Sequence, residues 1–171
     1  KTLQVTATIP VVGHHVTTGH GSVWATSLNK GTLSRIDPES NQIVATIRVG
    51  ESPTYVAAGD KAVWVLNSHD GTVSRIDPSS NKVVAIIRIG PGTSTAKTLL
   101  GLYPARYFGF ALGAGAVWVT DYNRGYVVRI DPESNQVTKY IPVGTEPWHV
   151  AASQRAVWVE TKTSLVKIDP Q

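Results

Sequence analysis

Residues 61–90 read KAVWVLNSHDGTVSRIDPSSNKVVAIIRIG, and how this stretch folds decides the architecture. Short runs rich in Val, Ile, Thr and Trp alternate with turn residues, the pattern of strands bounded by tight turns. Asp70-Gly71 suits a hairpin turn that needs positive φ. Asp77-Pro78 followed by Asn81 sets a wider turn, through proline's fixed φ and side-chain capping. Strands are therefore predicted over 62–66, 72–76 and 82–89, with an inner strand over 54–58 ahead of the Gly59-Asp60 turn.

The same unit recurs on both sides of this stretch. GSVWATSLNKGTLSRIDPESNQIVATIRVG (21–50) and GAVWVTDYNRGYVVRIDPESNQVTKYIPVG (115–144) align with it without gaps, and RAVWVETKTSLVKIDPQ (155–171) begins a fourth copy. Trp24, Trp64, Trp118 and Trp158 are spaced 40, 54 and 40 residues apart, so one repeat carries an insertion, at about 92–106. Four antiparallel strands in about 40–45 residues make the blade of a β-propeller. A lone blade leaves both faces open, so the Trp residues and the Val/Ile rows are expected to pack between neighbouring blades.

The fold class is thus all-β, a β-propeller of four four-stranded blades forming a single domain over 1–171. The last copy stops after a third strand, Ser164–Ile168, whereas Gln4–Pro10 reads as a fourth strand. Joining Ile168-Asp169-Pro170-Gln171 to Lys1-Thr2-Leu3-Gln4-Val5 nearly restores the IDPESNQV turn. The N-terminal strand is expected to complete the last blade and close the ring within a monomer, removing exposed edges. A strand-exchanged dimer of eight blades, or a piece of a longer ring, leaves the same signature.

Composition narrows the function classes. Hydrophobic residues are 42% of the chain and charged residues 16%, ample for a core and unlike a disordered chain. No run approaches the roughly 18 apolar residues of a membrane helix, so no membrane insertion is expected. The absence of Cys removes disulfides, thiolate metal sites and thiol nucleophiles. A chain that begins at Lys1 and contains no Met points to processing and a secreted or periplasmic location. The net charge is +4, but Arg35, Arg75, Arg129 and Lys167 recur once per repeat beside an Asp. Much of the basic excess is therefore a structural rhythm, and no nucleic-acid partner is expected. No GxSxG, P-loop or dinucleotide fingerprint occurs, which leaves serine-hydrolase and nucleotide readings without a motif.

The units VWVLNSHDGTVSRIDPSSNKVVAIIRIG and GESPTYVAAG resemble the YVTN-type repeats of bacterial extracytoplasmic propellers and are similar to the blades of virginiamycin B lyase-like propellers. The resemblance implies the propeller fold. For the lyases it further implies seven blades and a metal-assisted elimination that opens a cyclic depsipeptide, using His and Glu near the central channel. This chain has about four blades, and the shared residues are those that build a blade.

Departures from the repeat are more informative about function than the repeat itself, above all in the loops leading into the innermost strands. Aligning VGHHVTTG, SPTYVAAG, RYFGFALG and EPWHVAAS places His15, Tyr55, Gly109 and His149 at one equivalent position. His14, Thr54, Phe108 and Trp148 occupy the one before. Neutral imidazoles converging on an axis ligate Zn, Cu or Ni, or act as acid and base. His15 and His149, with Glu160 adding a carboxylate, are thus the candidate ligands for a divalent metal, although a catalytic zinc typically takes three protein ligands and no HExxH-like spacing occurs. The plainer expectation is that both His residues hydrogen-bond around a water-filled channel. His20 and His69 are expected to be solvated in turns.

The insertion GTSTAKTLLGLY reads as a cap followed by a short apolar helical turn. Tyr103, Tyr107, Phe108 and Phe110 cluster at its end as a lid or aromatic wall, a plug, or an interface. The expected function is an extracytoplasmic propeller that binds a small molecule or protein partner at the channel mouth through His15, Tyr55, Tyr107, Phe108, Trp148 and His149. A metal-dependent lyase or hydrolase is the alternative, and a structural module of a larger assembly a further one. Asp37, Asp77, Asp131 and Asp169 each precede Pro in a turn and are read as turn caps.

Overall fold

The computed structural model describes residues 2–90 and 107–170, the side chain of residue 107 excepted, so the expected helical turn within 92–106 lies outside the described residues. The described strands form four antiparallel sheets. The first comprises β1 (Val16–Gly19), β2 (Ser22–Ser27), β3 (Thr32–Asp37) and β4 (Gln42–Arg48). The second comprises β5 (Pro53–Ala58), β6 (Val63–Asn67), β7 (Thr72–Asp77) and β8 (Lys82–Arg88), each within a residue of its expected bounds. The third comprises β9 (Tyr107–Gly113), β10 (Ala116–Asp121), β11 (Tyr126–Asp131) and β12 (Gln136–Pro142), and the fourth β13 (His149–Ala152), β14 (Val157–Glu160) and β15 (Leu165–Ile168).

Each outer turn is built by the repeated Asp. Asp77 accepts hydrogen bonds from the Ser79 N–H (2.9 Å) and the Ser80 hydroxyl (2.6 Å), and Asp37 and Asp131 do the same in their own turns. Asn41, Asn81 and Asn135 close these turns at φ of 58°, 56° and 57°, the left-handed region that Asn tolerates. The hydrogen bonds favour the charged carboxylate. The Ser80 hydroxyl first, then the Ser79 N–H, hold the Asp77 carboxyl down at about 2 instead of 3.8.

The sheets are joined by three apolar seams of one kind. Trp24, Leu33 and Ile47 of the first sheet pack on Val56, Val63, Val65 and Ile76 of the second. Trp64, Leu66, Val73 and Ile87 then pack on Val117, Val119, Val128 and Ile130 of the third. Trp118, Val127 and Val143 pack on Val150, Val157 and Val159 of the fourth. Each Trp also carries the guanidinium of its cross-strand partner on its ring, at 5.1 Å for Arg35, 5.5 Å for Arg75 and 5.9 Å for Arg129. Such a pair is worth about 0.5–2 kcal/mol, against about 1.5–3 kcal/mol for each fully buried aliphatic side chain, so the seam is mainly apolar packing.

The arginines add direction. Arg35 donates to the Pro78 carbonyl (2.6 Å) and the Asn81 side chain (2.9 Å) in the turn of the next sheet, and Arg75 donates to Asn135 (3.1 Å) in the sheet after. Arg129 folds back onto Thr138 of its own sheet (2.8 Å).

The expected closure by the N-terminal strand is not what the structure holds. Residues 2–13 carry no strand, and the fourth sheet has three strands. Among the described residues, strand packing runs from first to second, second to third and third to fourth sheet, with no comparable packing between fourth and first. Trp24 and Trp118 are fully buried, whereas Trp158 is 41% exposed and Leu165 65% exposed. A strand-like sequence lowers the cost of pairing but does not say which edge it pairs with.

The Arg35 Nε–H donates to Ser22 (2.8 Å), but Ala62 stands at the equivalent place in the second blade and leaves the buried Arg75 Nε without a partner. Ala62→Ser is expected to stabilise the protein by about 0.5–1.5 kcal/mol, read as a higher thermal midpoint. Asp77 is depressed in the folded state, so its stabilising contribution is complete above pH 3.8 and is lost as pH falls toward about 2. Acid unfolding curves of Asp77→Asn should therefore be flatter than those of the parent in that window.

Candidate functional site

The loops leading into β1, β5 and β13 lie at one end of the sheets, together with the start of β9. At Ser52 (φ 51°) and Glu146 (φ 54°), each just before a proline, the chain takes a left-handed turn into the inner strand. Phe108, Tyr122 and Trp148 meet where the third and fourth sheets adjoin. Their ring centroids lie 4.7 Å apart for Phe108–Trp148, 4.8 Å for Tyr122–Trp148 and 5.2 Å for Phe108–Tyr122, the last two edge to face. All three are only half-buried, so the cluster offers an aromatic surface to solvent. Tyr122 stands in the turn after β10, held by buried Asp121, which accepts from the Arg124 N–H (3.2 Å) and guanidinium (3.0 Å).

Gly109 explains how the cluster is assembled. A Cβ there would lie 2.8 Å from the Val150 nitrogen and 2.9 Å from the Trp148 oxygen, so the His or Tyr of the other units does not fit. The buried Thr120 hydroxyl accepts from the Gly109 N–H (2.7 Å) and donates to the Trp148 carbonyl (3.3 Å). One hydroxyl thereby fixes β9, β10 and the backbone of Trp148 together.

Beside the cluster, His149 Nδ1 sits 3.0 Å from the Glu160 carboxylate, because the two residues are directly opposite in the β13–β14 register. Both are largely exposed. His15 lies elsewhere, on the first blade. Its Nδ1 accepts the Val56 N–H (3.4 Å), which leaves the proton of the neutral ring on Nε2. Burial foremost, then neighbouring His14, hold its pKa below 6.5. Tyr55 packs on the His15 ring at 4.9 Å, and burial raises its phenol above 10.0. His14 Nδ1 is 3.0 Å from the Thr54 carbonyl, so His14 and His15 both bind the second blade's inner strand.

The structure thus brings Phe108 and Trp148 together, with His149 and Glu160 adjoining, and places His15 with Tyr55. The expected grouping of His15, His149 and Glu160 is not formed: among the described residues no three His, Cys, Asp or Glu side chains group to hold a metal ion. Equivalent places on different blades are not neighbours unless those blades pack. The side chain of Tyr107 lies outside the described residues. His20, expected in solvent, is half-buried, its Nε2 2.9 Å from the Gly59 carbonyl of the next blade, and His69 lies 3.4 Å from Glu51.

Tyr122 was missed by the sequence reading. Its signal is that Leu28 and Ser68 hold the same place in other units, so an aromatic there departs from the repeat. A second concavity of about 720 Å³ opens at the opposite end, between the second and third sheets, lined by Lys61, Trp64, Arg75, Leu112 and Glu133 among others. Lys61 and Glu133 pair across it at 2.9 Å.

No protein-family model and no curated protein matches the sequence. The structure is similar to Kuenenia stuttgartiensis hydrazine synthase (TM-score 0.75, 15% identity), covering 98% of this chain and 48% of that one. It is similar to the computationally designed Ika4 protein (TM-score 0.77, 14% identity), covering 98% and 99%. It is also similar to a streptogramin B lyase (TM-score 0.67, 17% identity), covering 93% and 55%. The chain spans about half the length of the hydrazine synthase chain. Together with the four sheets and their shared seams, these likenesses define a β-propeller fold.

Gly109→Ala should push Trp148 away and cost about 1–3 kcal/mol, as overpacking of a tight backbone contact does. The checks are a lower thermal midpoint and a loss of near-ultraviolet circular dichroism from the coupled aromatic rings.

Proposed function

We propose that the chain is an extracytoplasmic binding propeller whose ligand, a planar or apolar small molecule or an aromatic segment of a partner protein, seats on Phe108, Tyr122 and Trp148. The observation that supports this reading most is the convergence of three half-buried rings at the loop end. Rigid rings supply contact area with few torsions to freeze, which favours their use in recognition. The Glu160–His149 pair at 3.0 Å gives the apolar platform a polar border able to accept or donate one hydrogen bond. The resemblance to exported repeat propellers supports the location.

A thermal-shift screen of planar aromatic compounds tests the reading. Compounds that raise the midpoint of the parent should lose that effect in Trp148→Ala, with affinity falling by about tenfold or more, the scale of a hot-spot contact. Hits that act equally on parent and Trp148→Ala would overturn it.

The second reading is a metal-dependent lyase or hydrolase using His149 and Glu160, favoured by their pairing and by the likeness to streptogramin B lyase. Native mass spectrometry with added zinc separates the two. One zinc per chain, removable by a chelator and absent in His149→Ala, would support the enzyme, whereas unchanged mass would support the binder.

A further inference from the structure

We propose that this 171-residue chain pairs with a second copy of itself, segment Gln4–Pro10 of each copy adding as the fourth strand to the fourth sheet of the other. The segment reads QVTATIP, identical at five of seven positions to β12, QVTKYIP, and at four to β4, QIVATIR. It has the sequence of an outermost strand, yet it is in no sheet, and Leu3 and Val5 stand almost wholly in solvent. Among the described residues the fourth sheet alone has three strands, with β15 at its outer edge.

The face of that sheet is also unfinished. Trp158 carries Lys167 at 5.6 Å, as Trp24, Trp64 and Trp118 carry arginine, but it is 41% exposed. Leu165 holds the place of Leu33, Val73 and Val127, which are fully buried in the seams, and is 65% exposed. Val63 and Ile76, which receive Trp24 in the second blade, have counterparts in Val23 and Ile36 of the first, Val23 half-buried and Ile36 already 2% exposed in the single chain. A first blade therefore carries the side chains that a fourth blade's open face requires. Since the fourth and first sheets of one chain do not pack comparably to the others, the first blade of a second copy is the occupant that fits. Two copies give an eight-bladed ring.

The β11–β12 register predicts the new pairing. Tyr126↔Pro142, Val127↔Ile141 and Val128↔Tyr140 translate to Ser164↔Pro10, Leu165↔Ile9 and Val166↔Thr8. Gly13, seated against Ala25, and His14, whose N–H binds the Thr26 carbonyl (2.8 Å), anchor the chain behind the segment, which leaves residues 2–12 to swing out.

The chain has no cysteine, so introduced thiols are clean probes. Isotope-labelled L165C and unlabelled I9C are mixed and oxidised. The expected product is a mixed disulfide dimer of twice 18.3 kDa, with peptides from both chains joined at these positions. In sedimentation the parent should be a dimer, and a variant lacking residues 1–10 should keep its sheets and dissociate about 100-fold more readily or further. A parent that is monomeric at every concentration overturns the proposal. So does a dimer that survives loss of residues 1–10, or an L165C/I9C double variant that cross-links only within single chains.

Discussion

The seam between one blade's tryptophan face and the next blade's Val/Ile face is the interaction on which the rest of the structure depends. A four-stranded sheet of this length cannot stand alone, because one of its faces would always be apolar and wet. Burying Trp24 against Val63 and Ile76 solves that problem for one pair of blades, and the solution is repeated at Trp64 and Trp118. The stacked arginine contributes less energy than the packing but more geometry, since Arg35 and Arg75 each reach into the Asp-Pro turn of the following blade. The Asp-Pro turn therefore has two tasks, reversing the chain and receiving the preceding blade.

The candidate site is a by-product of the same packing. Gly109 has no side chain because the third and fourth inner strands approach too closely for one, and Thr120 uses the space to tie them. That close approach brings Trp148 over Phe108 and Tyr122. At the first and second blades, where the equivalent positions keep His15 and Tyr55, the two rings pack on each other and the histidine nitrogens serve the inter-blade contact.

Much of the fold was legible in the sequence because period, turn chemistry and strand alternation all agree. In the second blade every strand lies within a residue of expectation. Closure was not legible: the Gln4–Pro10 pattern states what kind of strand it is, and pattern alone cannot rank the edges it might join. Phe108, Trp148 and His149 were visible as departures from the repeat, and Tyr122 carries the same signal in the turn after β10. The grouping of His15 with His149 and Glu160 failed for a physical reason. It needed the first and fourth blades to be packed neighbours, whereas the local register was enough to bring Glu160 to His149.

The repeated seam also gives the molecule polarity. Donor face and acceptor face are different surfaces, so any association through them is heterologous, as in a polymer whose subunits add head to tail. Whether such an assembly closes or runs on as a filament depends only on the rotation from one blade to the next. That rotation is set by side-chain volume in the seams and by how closely the inner strands approach, as at Gly19 on Ala58 and Gly113 on Ala152. Blade number is therefore not a property of the blade but of an angle. Small changes of volume near the axis act on the symmetry of the whole assembly before they act on the fold of any one sheet.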